Sequence, residues 1–253
     1  MVLEVEKLHF AYNSVSMLRD VSFQVYDSEI VGIIGPNGSG KSTLIKNILR
    51  LLNPDSGQVM VDGNKVKEMS INERATSMSY VPQFITPNFS HSVFYTVLMG
   101  RKPYIGWNYS ENDMKITLDT LKRMKLDDLG DRLFNTLSGG EKQKTLLARA
   151  IAQDCRVMLL DEPTSNLDLK HKKEVMMILK EIANKKKNSV IMAIHDLNLA
   201  ALFCDRLILL NQGKKAEEGS PIEVITKENL KKIYDVEVNI AFHNNNPYII
   251  LEP

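Results

Sequence analysis

Residues 30–43 read Ile30-Val31-Gly32-Ile33-Ile34-Gly35-Pro36-Asn37-Gly38-Ser39-Gly40-Lys41-Ser42-Thr43. A short apolar run ends at Gly35, and Gly35 to Ser42 then follow the G-x-x-x-x-G-K-[ST] spacing of a phosphate-binding loop. Glycines let successive backbone N–H groups converge on phosphate oxygens, at a helix start where the dipole already favours negative charge. The pattern makes Gly35, Pro36, Asn37, Gly38, Ser39, Gly40 and Thr43 the cradle, sends Lys41 to the outer phosphates and puts the Ser42 hydroxyl on Mg²⁺. It needs a strand before it and a helix after it. Residues 30–34 supply the strand, and Thr43 to Leu52, with Leu44, Ile45, Ile48, Leu51 and Leu52, supply the helix.

Around this loop the composition is that of an ordinary globular chain of 253 residues, 43% hydrophobic and 25% charged, with ample length for one large domain or two unequal lobes. A formal net charge of +1 removes the general electrostatic footprint of a nucleic-acid binder. Cys155 and Cys204 are too few and too isolated for a disulfide framework or a metal cluster, which points to a reducing interior. Met1 to Phe10 alternates charged with apolar residues and does not read as a signal peptide. Every apolar run falls well short of the ~20 residues that span a bilayer. A role at a membrane therefore requires another subunit to cross it.

In chain order, Leu3, Val5, Leu8 and Phe10, then Val21, Phe23 and Val25, predict strands of a half-exposed antiparallel sheet, with Tyr12 in the turn between them. A tyrosine there can be packed surface or can stack on an adenine ring. Asn53 to Gly57 is a dense turn signal; Val59, Val61 and Asp62-Gly63 predict a strand and hairpin, and Tyr80-Val81-Pro82-Gln83 is an apolar step ending in a lone glutamine. From about Ser90 to Ala152 the pattern turns helical. Ser92 to Met99 predicts one helix, Arg101 to Tyr109 a loop rich in aromatics, and Ser110 caps a second helix with Asp113 in the capping box and Met114, Leu118 and Leu121 on one face. No linker sets this stretch apart, so it reads as an insertion in a nucleotide domain, and its loop aromatics as either a docking surface or simple packing. At Leu137-Ser138-Gly139-Gly140-Glu141 a second glycine-containing helix start appears, which can be an N-cap with Glu141 as its capping partner or a second phosphate contact.

Val157-Met158-Leu159-Leu160 then delivers Asp161 and Glu162 to the carboxyl end of a buried parallel strand, where open α/β sheets hold ligands. Alternate residues of a strand face opposite ways, so Asp161 can join a Mg²⁺ shell while Glu162 polarises a water; the bland alternative is a pair of surface acids capping the next helix. Thr164 to Asp168 is a polar turn before a helix carrying Val175, Ile178, Leu179 and Ile182, whose Lys185 to Lys187 end reads as a solvated terminus. Val190 to Ile194 is another buried strand, and it ends at His195, either an ordinary hydrogen-bonded histidine or a phosphate sensor. The remainder predicts another strand over Arg206 to Leu210, one or two helices and a small terminal hairpin.

The order Tyr12, Gly35–Thr43, Gln83, Leu137–Glu141, Val157–Glu162, Ser165–Asp168 and His195 resembles, over almost the whole chain, the nucleotide-binding subunit of an ATP-binding cassette transporter. A P-loop combined with an LSGG-type signature just before an Asp-Glu strand is far more specific than a P-loop alone. The resemblance implies an α/β P-loop NTPase core with a mainly parallel sheet, an N-terminal antiparallel β subdomain and an inserted helical subdomain. The nucleotide lobe would take residues 1–89 and 153–253, and the helical lobe about 90–152. It implies an ATP hydrolase using ATP and Mg²⁺, with Tyr12 stacking on adenine, Lys41 on the phosphates, and Ser42, Gln83 and Asp161 in the metal shell. Glu162 becomes the general base, His195 a γ-phosphate contact, and Asp168 part of the nucleotide site. Ser138, Gly139 and Gly140 of one copy would close over ATP held by the P-loop of a second, in an antiparallel homodimer. Glu141 stands where glutamine is commonest and Lys144 where arginine is frequent; both departures leave Ser138 and the backbone donors in place. Implied partners are membrane-spanning permease subunits and an extracytoplasmic substrate-binding protein, with this chain on the cytoplasmic face and no nucleic acid involved.

Thr86-Pro87, Val97 to Tyr104 and the tail Ile233 to Val238 are similar to the branch that imports iron chelates, haem and cobalamin. Neither the lobe nor the tail would touch the cargo. Two rival expectations are an export cassette and a soluble cassette acting on nucleic acid or ribosomes; the latter usually carries a second cassette or a long coiled-coil insertion.

Overall fold

In the N-terminal segment, period-two alternation builds the antiparallel hairpin of β1 (Leu3–Tyr12) and β2 (Val15–Val25). Its register places Leu3 opposite Val25, Val5 opposite Phe23 and Leu8 opposite Val21, with all six side chains buried. Tyr12 is not in the turn but closes β1, paired with Val15; the two turn residues are Asn13 and Ser14, whose φ of 43° and 72° give the left-handed backbone a two-residue hairpin needs. The computed structural model describes residues 1–83, 90–165, 167–186 and 188–251; Thr86-Pro87, Asn166 and Lys187 lie outside that set.

After β3 (Ile30–Ile34), buried throughout, comes α1 (Lys41–Ile48). This helix stops short of the expected Leu52, because Arg50 turns left-handed at φ 54° and leaves Leu51 60% exposed. β4 (Ser56–Val61) pairs antiparallel with β1 and with β5 (Asn64–Lys65), giving a four-stranded sheet in the order β2-β1-β4-β5. A complete capping box between Ser70 and Glu73 starts α2 (Ile71–Ser77), which leads into β6 (Met78–Val81).

Ser92 caps α3 (Val93–Leu98), and Met99–Tyr104, expected as loop from Arg101 onward, forms a 3-10 turn. Ser110 and Asp113 form the expected capping box of α4 (Glu111–Arg123). The buried face of α4 differs from the expectation: Asp113, Thr117, Thr120 and Leu121 face inward, while Met114 and Leu118 are 38% and 49% exposed. Hydrogen bonding explains this. Arg101 Nε donates to Asp113 Oδ1 at 2.9 Å, and the Thr117 and Thr120 hydroxyls donate to the carbonyls of Asp113 and Ile116, so polar side chains can be buried with their needs met. α5 (Gly139–Ala152) packs so closely here that a Cβ on Gly100 would lie 2.2 Å from the Arg149 carbonyl oxygen.

β7 (Val157–Asp161), α6 (Leu169–Lys186), β8 (Ser189–Ala193), α7 (Leu197–Phe203), β9 (Arg206–Asn211) and β10 (Lys214–Gly219) complete the central sheet, in the order β10-β9-β3-β8-β7-β6. All neighbours are parallel except the β10 edge. Two short helices, α8 (Pro221–Val224) and α9 (Lys227–Tyr234), and the hairpin of β11 (Val238–His243) and β12 (Asn246–Leu251) end the described chain. Alternate residues of the parallel strands serve two cores. Val157, Leu159, Ile191 and Ile208 join the antiparallel sheet and α1, whereas Met158, Leu160, Val190 and Leu207 join α3 to α7 in a core that runs without a break into the helical segment. Because β3, β7 and β8 run the same way, the loops after Ile34, Asp161 and Ala193 all leave one edge of the sheet, where such sheets bind ligands. No helix among the described residues is long and apolar enough to cross a membrane.

Candidate nucleotide site

At that edge the 35–43 loop takes the backbone its glycines permit. Gly35 has φ 148°, and a Cβ there would lie 2.2 Å from the Leu210 carbonyl oxygen; Gly40 has φ 104° and leads directly into α1. Lys41 is only 6% exposed and folds back, its Nζ donating to the carbonyls of Gly35 at 2.8 Å and Pro36 at 3.0 Å. Burial lowers its pKa, against the pull of the Glu162 and Asp161 carboxylates. The Ser39 hydroxyl is buried inside the loop without a partner among the described residues. A concave loop of N–H donors with a spare hydroxyl and a masked ammonium fits a phosphate chain.

Beside it, Ser42 Oγ donates to Asp161 Oδ1 at 2.8 Å. Asp161 is 1% exposed; burial raises its pKa and Glu162 raises it further, opposed by the Ser42 bond and by Lys46 and Lys41. Its field reaches Tyr80 on β6, whose hydroxyl is pushed up to about 12 by burial and by the Asp161 charge. One hydroxyl and one carboxylate oxygen suit Mg²⁺, which takes one or two protein oxygens together with substrate phosphates. No group of three or more His, Cys, Asp and Glu among the described residues could hold a metal on protein ligands alone. Gln83 lies two residues past the end of β6 at Val81, and β6 is the strand next to that of Asp161.

Glu162 sits at φ 51° in a turn held by Glu162 N–H to Ala193 O at 3.1 Å and by the Ser165 hydroxyl to Glu162 O at 3.1 Å. From this turn Glu162 Oε1 is hydrogen-bonded to His195 Nε2. The pair opens on a pocket of about 250 Å³ whose other walls are Thr164, Ser165, Lys172, Ile194 and Asp196. Sequence reasoning singled out neither Lys172 nor Asp196. Lys172 stands in a lysine-rich stretch indistinguishable from a solvated face, whereas Asp196 carried a readable signal, an acid before an apolar run, and does cap α7 by accepting from Leu199 N–H at 3.0 Å.

Ser138, within one copy, behaves as a helix cap. Its hydroxyl donates to Glu141 Oε2 at 2.7 Å, its own N–H donates to the same oxygen at 2.8 Å, and it accepts from Glu141 N–H at 3.3 Å. Ser138 and Gly140 line a cleft of about 560 Å³ together with Lys144, Asp168 and His171, and no residue of the 35–43 loop lines it. Asp168 Oδ1 accepts from His171 N–H at 2.8 Å. Tyr12 is 42% exposed, its ring edge-on to Phe10 with centroids 4.7 Å apart. The structure thus brings Lys41, Ser42, Asp161, Glu162 and His195 together, and leaves Ser138, Gly140 and Asp168 at a second cleft.

The profile of the ABC transporter family matches residues 18–165. The ABC transporter ATP-binding protein MJ0089 of Methanocaldococcus jannaschii is 42% identical over 250 residues, 99% of this chain and 98% of its own length. The petrobactin import ATP-binding protein YclP of Bacillus subtilis is 34% identical over 96% of this chain and 97% of its own. Among solved structures, an inward-facing ABC transporter assigned to the metal-chelate type superposes with a TM-score of 0.84 at 30% identity, covering 98% of this chain and 96% of the other. With a P-loop, a magnesium-suited Ser-Asp pair and a Glu-His pair on one sheet edge, this chain belongs to the ABC transporter family, as an ATP-binding and ATP-hydrolysing subunit.

Proposed function

We propose that this chain powers an importer of an iron chelate, haem or cobalamin, working as a peripheral subunit on the cytoplasmic face of a membrane that other subunits span. In this reading the 35–43 loop and Lys41 bind the phosphates of ATP, and Ser42, Asp161 and Gln83 hold Mg²⁺. Bound there, Mg²⁺ neutralises charge that develops on the phosphate oxygens. Glu162 accepts a proton from the attacking water, and His195, hydrogen-bonded to Glu162, orients it and meets the γ-phosphate. Tyr12 stacks on adenine. Ser138, Gly139 and Gly140, with Asp168, complete the site of a second copy, exchanging the Glu141 cap for phosphate oxygens.

The observation that carries the hydrolytic reading is the convergence of Ser42–Asp161 and Glu162–His195 on one edge of the parallel sheet. The import reading is supported by relatives that match this chain from end to end, one named for petrobactin import and one of metal-chelate type. Residues 1–89 and 153–253 would form the nucleotide lobe and about 90–152 the helical lobe. Trp107, fully exposed, and half-exposed Tyr104, Met114 and Leu118 give that lobe an apolar surface suited to docking on a membrane subunit. Purification of the chain from its own cells in mild detergent tests the proposal. A permease should accompany it, and the complex should hydrolyse ATP faster when a cargo-loaded binding protein is added; retrieval of ribosomes or nucleic acid instead would overturn it.

A further inference from the structure

We infer that Lys172 is a positioning residue for hydrolysis, acting by tying the loop that carries Glu162 to the loop that carries His195. The inference rests on the proposed roles of those two residues. Lys172 lies in the first turn of α6, its backbone N–H donating to Asp168 O at 2.8 Å, and α6 begins at Leu169, the next helix in the chain after Glu162. Its ammonium sits 3.7 Å from Asp196 Oδ2. The other oxygen of Asp196 caps α7 through Leu199 N–H, so a single carboxylate both fixes the helix after His195 and anchors Lys172. Lys172 is also the only lysine or arginine among the described residues that line the Glu162–His195 pocket.

Magnitudes separate a catalytic use from a structural one. The two side chains are 27% and 43% exposed, and ion pairs this wet and this long contribute little to global stability, enough to shift a local equilibrium by no more than a few-fold. What the pair can do is hold two loops in register. Glu162 reaches His195 from a left-handed backbone position, a strained geometry that persists only when its surroundings over-determine it. A tether between α6 and the residue after His195 narrows the range of separations open to the carboxylate and the imidazole, which matters at the transition state and not for ATP affinity.

The test compares the full chain with its K172M, K172R, D196N and K172M/D196N variants, and with E162Q, over a range of Mg-ATP concentrations up to saturation. Asn keeps the α7 cap while removing the charge. K172M and D196N should each lower kcat about two- to fivefold with KM unchanged, the double variant should be no worse than either single one, and K172R should retain most activity. Melting temperatures without nucleotide should agree with the parent. Wild-type kcat in K172M, additive losses, or a loss that follows a lowered melting temperature would overturn the inference. If E162Q is inert while K172M is fully active, only the role of Lys172 falls; if E162Q itself hydrolyses ATP normally, the underlying assignment of Glu162 falls.

Discussion

The Ser42 hydroxyl and the Asp161 carboxylate, 119 residues apart in sequence, meet at 2.8 Å beneath the phosphate-binding loop. Burial raises the Asp161 pKa, so the fold binds a proton there more tightly than the unfolded chain does. Stability from such a group is fully present below the ordinary aspartate range and is lost as pH rises through the raised value. At neutral pH the Asp161 charge therefore destabilises the nucleotide-free chain. Asp161→Asn keeps an acceptor for Ser42 without the charge. It should melt higher than the parent at neutral pH, with the gap closing as pH falls toward about 4. Mg-ATP should stabilise the parent more than the variant. Thermal melts across pH, with and without Mg-ATP, check both halves; a variant that melts lower at neutral pH would show that the bond from Ser42 to the charged carboxylate outweighs the cost of burying that charge.

His195 is 42% exposed, so truncation leaves no buried void and the fold should survive it. Its bond to Glu162 is the contact removed. His195→Ala should lower kcat about a hundredfold while KM changes little, because an interaction realised only at the transition state acts on turnover. Steady-state kinetics with a parallel melting curve decides this, and collapse of the fold would instead mark His195 as structural.

Arg101 and Asp113 are 7% and 6% exposed; Arg101 also donates to the Ala152 carbonyl at 2.9 Å and lies 4.2 Å from the centre of the Tyr104 ring. One ion pair thereby joins the 3-10 turn, the start of α4 and the end of α5. Asp113→Ala removes both the counter-ion and half of the Ser110 capping box, and should cost about 2–3 kcal/mol, whereas surface changes such as Met114→Ala stay within about 0.5 kcal/mol. The Asp113 pKa is lowered, first by the Ser110 hydroxyl and then by Arg101. A depressed carboxylate contributes stability above the ordinary aspartate range that is lost as pH falls, so the deficit of the variant should shrink in acid. Chemical denaturation at two pH values measures it.

How much of this was legible in the sequence depends on the range of the interaction. Strands 3–12 and 157–161 and the loop from Gly35 to Ser42 could be read directly, because alternation, apolar runs and glycine spacing are local signals. The α4 face could not. Met114 and Leu118 have the right period for a core stripe, but the position is decided by Arg101, twelve residues earlier, pulling Asp113 inward. Tyr12 was displaced by one local detail, the left-handed pair Asn13-Ser14 that shortens the turn. Lys172 and Asp196 become neighbours only when two parallel strands place their following helices side by side, and no spacing within either helix announces it.

Oligomeric state is the most exposed consequence of the two-cleft arrangement. Within one chain, Ser138 and Gly140 line a cleft with Asp168 and His171, and the P-loop lines none of it. If those donors meet a γ-phosphate, it is one held by another copy, and two antiparallel copies each supply half of each site. ATP then belongs to the interface, and a ligand that binds the dimer better than the monomer drives association. Glu162→Gln keeps the side-chain shape but cannot take the proton from water, so it should bind ATP normally and lose turnover by at least about a hundredfold. We expect this variant to be monomeric without nucleotide, dimeric with ATP and slow to dissociate, and monomeric again with ADP. Ser138 is exposed, so Ser138→Arg should fold at the cost of about 1 kcal/mol for the lost cap, still bind ATP as a monomer, and fail to dimerise. Light scattering with ATP and with ADP reads the mass directly. A mass that ignores nucleotide while ATP binding is demonstrated would show that the two copies do not build the site by themselves.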